Sequence, residues 1–174
     1  MKRWIVPLLV FFAALAGGWH ATLALTTYGL MEGAVRRVSA HSGLNVMTYA
    51  NLATPENQPI VRPSPDLAYA SCPFDLSAGP LLVTYVPVAG RYSSLSVFDA
   101  RTDAVFVRND VQAGGKPLKI VVARAGQKAP AGYETVRVNH DRGIALVRLL
   151  LASPAEIGQL DVVRRQSNCT TIRN

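Results

Sequence analysis

The stretch ETVRVNHDRGIALVRLLLA runs from Glu134 to Ala152. In its first part Val136 and Val138 alternate with Thr135, Arg137 and Asn139. That period of two marks a strand with one buried face. From Gly143 to Leu151 the residues are apolar on both alternating faces apart from Arg148, which suits a strand in the middle of a sheet. Between them His140, Asp141, Arg142 and Gly143 supply turn residues at hairpin length, predicting that the two strands pair with each other.

Working outward, the same β reading extends over most of the chain. Strands are predicted at 44–50, 69–75, 80–87, 91–99, 104–108 and 117–124, besides 134–139 and 143–151. Ala89-Gly90 and Arg101-Thr102-Asp103 read as turns, so residues 80–108 are expected to form a meander. The segment 51–65 carries Pro55, Pro59, Pro63 and Pro65 and cannot form the interior of a ladder. After the last strand, Ser153, Pro154 and Glu156 form a helix-start signature. Ile157, Leu160 and Val163 give that helix an apolar stripe, and Arg164 and Arg165 suit its negative end. The expected fold is all-β, sandwich-like and mainly antiparallel, with a short C-terminal helix and an apolar N-terminal one.

The N-terminal helix is predicted from Met-Lys-Arg followed by a run without charge from Trp4 to Met31. Residues 4–25 suffice to cross about 30 Å of hydrocarbon at about 1.5 Å per residue. Lys2 and Arg3 would stay on the cytoplasmic side, sending the body of the chain outward. A cleaved signal peptide, with Ala14-Leu15-Ala16 at the cleavage site, is the competing reading. Either way the body is exported. Residues 1–27 are read as the anchor and 28–43 as an amphipathic connector helix with Leu30, Met31, Ala34, Val35 and Val38 on one stripe. Residues 44–174 are read as a periplasmic β domain.

Export bears on the cysteines. Cys72 and Cys169 are the only two, and an oxidising compartment lets one bridge form and persist. Closing a loop of nearly a hundred residues removes about 4–5 kcal/mol of unfolded-state disorder. Two free thiols, one in the core and one on a frayed tail, are the alternative. A nucleophilic Cys72 would need a base, and only His140 lies well inside the domain.

The formal net charge is +7, from 18 Lys and Arg against 11 Asp and Glu, and the cations are scattered. No basic run interleaved with aromatics supports a nucleic-acid groove. The histidines have no metal-ligand spacing. No cofactor loop and no hydrolase or metalloprotease motif occurs, so no catalytic residue is assigned. What remains is a constellation of Asp66, Tyr69, Arg91, Tyr92 and Asp99, with Asp75 nearby. Arg91 would grip an anionic group beside Tyr69 or Tyr92. Turn caps and internal ion pairs account for the same residues, since Asp at strand ends commonly closes an Asx turn.

Around these residues PSPDLAYASCPFDLSAGPLLVTYVPVAGRYSSLSVFDARTDAVF resembles the domain of unknown function 1254 family. The resemblance rests on Pro63, Asp66, Tyr69, Asp75 and Leu76, then Gly79, Pro80 and Val83, then Gly90, Arg91, Tyr92, Ser94, Leu95 and Asp99. Ser64 stands where larger relatives carry Asn, and Leu67-Ala68 where they carry Thr-Leu. The chain is similar to the family's short, membrane-anchored form. That resemblance implies a bacterial inner-membrane protein with a β-rich periplasmic body. It also implies a companion protein of the domain of unknown function 1214 family, and it transfers no reaction. The functional expectation is a binding or assembly module of the cell envelope. An envelope enzyme acting on a small anionic or glycan substrate is the rival, and a structural spacer a third reading.

Overall fold

A computed structural model of the chain describes residues 2–54 and 63–173. Pro55, Pro59 and Arg62 of the proline-rich segment lie outside the described residues.

The first element is a single helix, α1, Lys2–Ser42. Its apolar part and its amphipathic part are continuous. Pro7 sits near its start, and Thr22 Oγ1 donates to the Gly18 carbonyl without interrupting it. It stops at Gly43, whose φ of +84° and N–H to the Ser39 carbonyl form a left-handed cap. Met31 and Val35 are buried and Ala34 and Val38 half-buried, but Leu30 faces outward at 64% exposure. This is one helix long and apolar enough to cross a membrane, near the N-terminus.

Among the described residues nine strands follow in two sheets, with the order β1-β2-β8-β4-β5 in one and β7-β6-β3-β9 in the other. They are β1 Thr48–Tyr49, β2 Leu67–Asp75, β3 Leu81–Tyr85, β4 Ser93–Phe98, β5 Ala104–Asn109, β6 Leu118–Arg124, β7 Glu134–Val138, β8 Arg142–Leu150 and β9 Asn168–Thr171. A short helix, α2 (Ile157–Arg164), precedes β9. All pairings are antiparallel except that of β6 with β7.

Three sequence expectations are corrected. First, β7 and β8 do not form a hairpin. β7 lies parallel to β6, while β8 enters the other sheet between β2 and β4. The turn residues at 140–143 carry the chain from one sheet to the other, because β8 is apolar on both sides and belongs in a sheet centre. Second, residues 80–108 are not one meander. β3 and β4 lie in different sheets, and only β4 and β5 form a hairpin, closed by a turn with Thr102 at φ +67°. Third, the first strand shrinks to two residues. Asn45 has φ +61° and spends its side chain on β2 instead, accepting from Asp75 N–H and donating to the Asp75 carbonyl and Thr171 Oγ1.

The core lies between the sheets. Ala70, Cys72, Phe74, Leu95, Val97, Ala145 and Val147 face Leu81, Val83, Tyr85, Ile120, Val122, Val136 and Val138. Each large side chain so buried contributes about 1.5–3 kcal/mol. Gly143 lies opposite Phe74, whose ring fills the space above it; a Cβ there would lie 2.2 Å from the Phe98 carbonyl oxygen. At the far end of the sandwich, Ile157, Leu160 and Val163 of α2 pack on Ala68, Val88, Leu149 and Leu151.

Cys169 is not on a tail. It sits in β9 beside Val83, and its bond to Cys72 in β2 joins the two sheets through the core, with Cα atoms 6.5 Å apart. Arg164 closes the last turn of α2, as its sequence position suggests, and does more. It is buried, and its Nη1 donates to the carbonyls of Ala50 and Tyr69 while Nε holds Asp161. It therefore fastens α2 to the β1–β2 edge.

Candidate functional site

The five residues expected to form a site are split between the two ends of the sandwich. β4 separates Arg91 and Tyr92 from Asp99 by about 25 Å at about 3.3 Å per residue. Asp99 is buried, and its Oδ1 accepts from the N–H groups of Arg101 and Asp103, so it shapes the β4–β5 turn. Asp66 is exposed at the entry to β2, where its carbonyl accepts from Leu151. Arg91 is engaged by Glu156, Nη2 to Oε1 at 2.5 Å. Glu156 in turn accepts from Ala152 N–H, which, with Arg91 adding to it, holds its carboxyl below the ordinary value. The reciprocal cap at the start of the C-terminal helix thus reaches Ala152, and Ser153 makes no side-chain cap bond.

Tyr69 and Tyr92 have a different neighbourhood. Alternation along β2, β8 and β4 places Ala68, Ala70 and Cys72, or Val147 and Leu149, toward the core. The intervening residues face outward. Direct pairing then builds a row across the outer face of the five-stranded sheet: Tyr69 in β2, Arg148 in β8, Ser94 in β4 and Asn109 in β5. The next row is Ser71, Leu146, Ser96 and Val107. Tyr92 extends the face at its upper end, beside Leu150, and both are more than 40% exposed.

Arg148 is the centre of this face. Its Nη2 donates to Ser96 Oγ at 3.3 Å, and no carboxylate pairs with it among the described residues. Among the described residues its Nε and the hydroxyl of fully buried Ser94 have no hydrogen-bond partner. Buried donors left unmatched cost about 1–3 kcal/mol each, and only the half-buried guanidinium end of Arg148 reaches the surface. A guanidinium edge offers two parallel N–H groups to a carboxylate. The signal for Arg148 was present in the sequence as one charged residue inside an otherwise apolar strand. It goes unnoticed when Arg91, at a strand start beside a tyrosine, takes the same role.

The opposite end carries α1. Glu32 accepts from Arg142 Nη1 at 2.6 Å, and Arg142 Nε donates to Asp75 Oδ2 at 3.1 Å. Burial pushes the Asp75 carboxyl up, but hydrogen bonds from Ser77 and Arg142 outweigh it and leave the group below its ordinary value. Tyr28 Oη meets His140 Nε2 at 3.0 Å, ring edge to ring face. Cys72 is disulfide-bonded, which removes the thiol that a pairing with His140 would need. Among the described residues no group of three or more His, Cys, Asp or Glu is placed to hold a metal ion.

The family whose model matches residues 44–171 is described as "Protein of unknown function (DUF1254)". The chain belongs to that family. The match covers the whole β body and begins just after α1. No curated protein matches. The DUF1254 fold recurs in the crystal structure of the VPA0106 protein from Vibrio parahaemolyticus, 18% identical with a TM-score of 0.67 over 87% of this chain and 37% of that one. An uncharacterised protein from Burkholderia cenocepacia is 14% identical, with a TM-score of 0.50 over 77% of this chain and 36% of that one. The chain therefore spans little more than a third of the length of these solved relatives. Within the DUF1254 body, Asp75 caps a 3-10 turn through Ser77 N–H, and Gly79 lies so close to Ile172 that a Cβ would sit 2.5 Å from its carbonyl oxygen. Gly90 turns at φ +71° and Leu95 is in the core. Of the residues that carry the resemblance, Tyr69, Tyr92 and Ser94 share the outer face with Arg148.

Proposed function

We propose that the chain is a membrane-anchored binding module of the bacterial cell envelope. Its body stands in the periplasm, and the upper part of the outer sheet face receives a companion protein. The observation that carries the reading is Arg148, half-buried and without a carboxylate partner among the described residues, beside exposed Tyr92 and Leu150. Arginine and tyrosine dominate the energetic centres of protein interfaces. A partner's Asp or Glu would satisfy the guanidinium. A sheet face suits a protein better than a small molecule, whose sites are concave. The bridge between Cys72 and Cys169 and the apolar part of α1 support an oxidising, membrane-adjacent setting. The family resemblance nominates a protein of the domain of unknown function 1214 family as companion.

The test is co-purification of the tagged full chain with a co-expressed protein of that family after extraction in a mild detergent. Arg148→Ala should lower recovery tenfold or more, while Arg91→Gln, on the Glu156 ion pair, should leave it unchanged. Recovery insensitive to Arg148, or a chain that stays alone, would overturn the assignment of the face.

A further inference from the structure

The course of α1 across the sandwich carries a second conclusion. From its C-terminus backward, α1 meets the first sheet's elements in their spatial order. Ser42 bonds Thr48 of β1. Glu32 meets Arg142 at the start of β8, which also holds Asp75 at the end of β2. Tyr28 meets His140, just before β8. Finally His20, Leu23, Ala24, Thr27 and Tyr28 line a cleft of about 360 Å³ with Arg101, from the turn between β4 and β5. The helix thus runs transverse to the strands and leaves the body on the β5 side. If residues 4–25 span a bilayer, the span ends at Leu25. Arg101 is then level with the final turns of the span, where the headgroup layer begins.

We infer that the β5 edge of the sandwich rests on the lipid headgroup layer. Strands lie about 4.8 Å apart, so β1, four positions away, stands about 19 Å farther from the bilayer. Among the described residues β5 pairs only with β4, and no strand adjoins its outer edge. That edge and the loop after it show Val105 at 38%, Val107 at 51% and Val111 at 79% exposure, and Tyr133 before β7 shows 39%. Apolar side chains of this size are normally absent from an open edge, because such an edge recruits other strands. Against an interface they partition into the boundary between headgroups and acyl chains. Arg101 is 60% exposed and its nearest carboxylate, on Asp103, is 3.9 Å away, so its guanidinium is available to lipid phosphate. Arg108 is committed to Glu134 and Asp110 to Ser93, so the edge is not strongly basic. Contact is therefore made by the valines and Arg101 together.

The inference rests on the anchor reading, and one experiment separates the two. The full chain is placed, one copy per disc, in lipid nanodiscs of phosphatidylethanolamine and phosphatidylglycerol carrying a small fraction of gadolinium-chelated headgroup. Residue-resolved amide relaxation is then measured. Amides of Val105, Val107 and Val111 should lose several times more signal than those of Thr48 and Tyr49 in β1 and of β9. Val107→Asp with Val111→Asp, both at exposed positions, should at least halve that loss while leaving the attenuation along α1 unchanged. Equal attenuation at β1 and β5, or loss at β5 that appears only with two copies per disc, overturns the inference. The second result would identify another copy of the chain as the cover. No attenuation along Trp19 to Leu25 would instead refute the anchor.

Discussion

Removing the bond between Cys72 and Cys169 tests whether the two sheets depend on each other. The residues are 97 apart, so the bond closes a loop of 98 residues. In the chain-entropy account such a loop removes about 16 cal/mol/K from the unfolded ensemble, or about 4.7 kcal/mol at 25 °C. A body of about 130 residues unfolds with roughly 0.27 kcal/mol/K of entropy. Cys72→Ala with Cys169→Ala should therefore lower the melting temperature by about 17 °C. Both cysteines are buried, so the lost sulfurs add a cavity cost in the same direction. The assay is thermal and urea unfolding of the full chain in dodecyl maltoside, followed by circular dichroism, with and without a reductant. The reduced wild type should fall toward the double variant. A midpoint within about 3 °C of the oxidised wild type would refute the reasoning, because it would mean that the unfolded chain gains no freedom when the link is cut.

Three further outcomes are expected. Gly143→Ala should cost about 3 kcal/mol or more in urea unfolding, since its Cβ meets both the Phe98 carbonyl and the Phe74 ring; Phe74→Leu should rescue only the ring part, because the backbone clash persists. Arg164→Met should cost about 3 kcal/mol by stranding the carbonyls of Ala50 and Tyr69 and leaving Asp161 with Arg165 alone, and hydrogen exchange should then quicken first in α2 and β1. The Asp75 carboxyl has a lower pKa folded than unfolded, so its contribution is whole above about pH 4 and disappears as pH falls toward the folded value. A pH series of urea midpoints should accordingly show less acid loss in Asp75→Asn than in wild type, and parallel curves would exclude the Arg142 and Ser77 contacts as its cause.

Much of the β architecture was legible from local pattern. The strands at 69–75, 80–87, 91–99, 104–108, 117–124, 134–139 and 143–151 all appear within one or two residues of their predicted limits. Period-two burial and turn residues are local properties, and they survive folding. Pairing partners are not local. His140 to Gly143 has hairpin chemistry, yet nothing in four residues says whether the next strand returns beside its predecessor or crosses to the other layer. β9 was missed because Asn168-Cys169-Thr170-Thr171 has one apolar side chain in four, and its place is set by the disulfide and by β3. The outer face was legible only in part. Tyr69 and Tyr92 stood out as residue types, but Arg148, Ser94 and Ser96 become neighbours only through β8, which joins segments about 50 residues distant.

That insertion of β8 governs how the molecule is made. Its partners, residues 67–75 and 93–98, are synthesised long before residues 142–150 arrive. Until then β2 and the β4–β5 hairpin have no shared neighbour, and each exposes an unpaired margin. High contact order of this kind slows folding toward milliseconds to seconds and prolongs exposure to aggregation. The last middle piece to enter also completes the sheet, so a chain cut short before residue 142 keeps β3, β6 and β7 of the second sheet but leaves the first in two unjoined pieces.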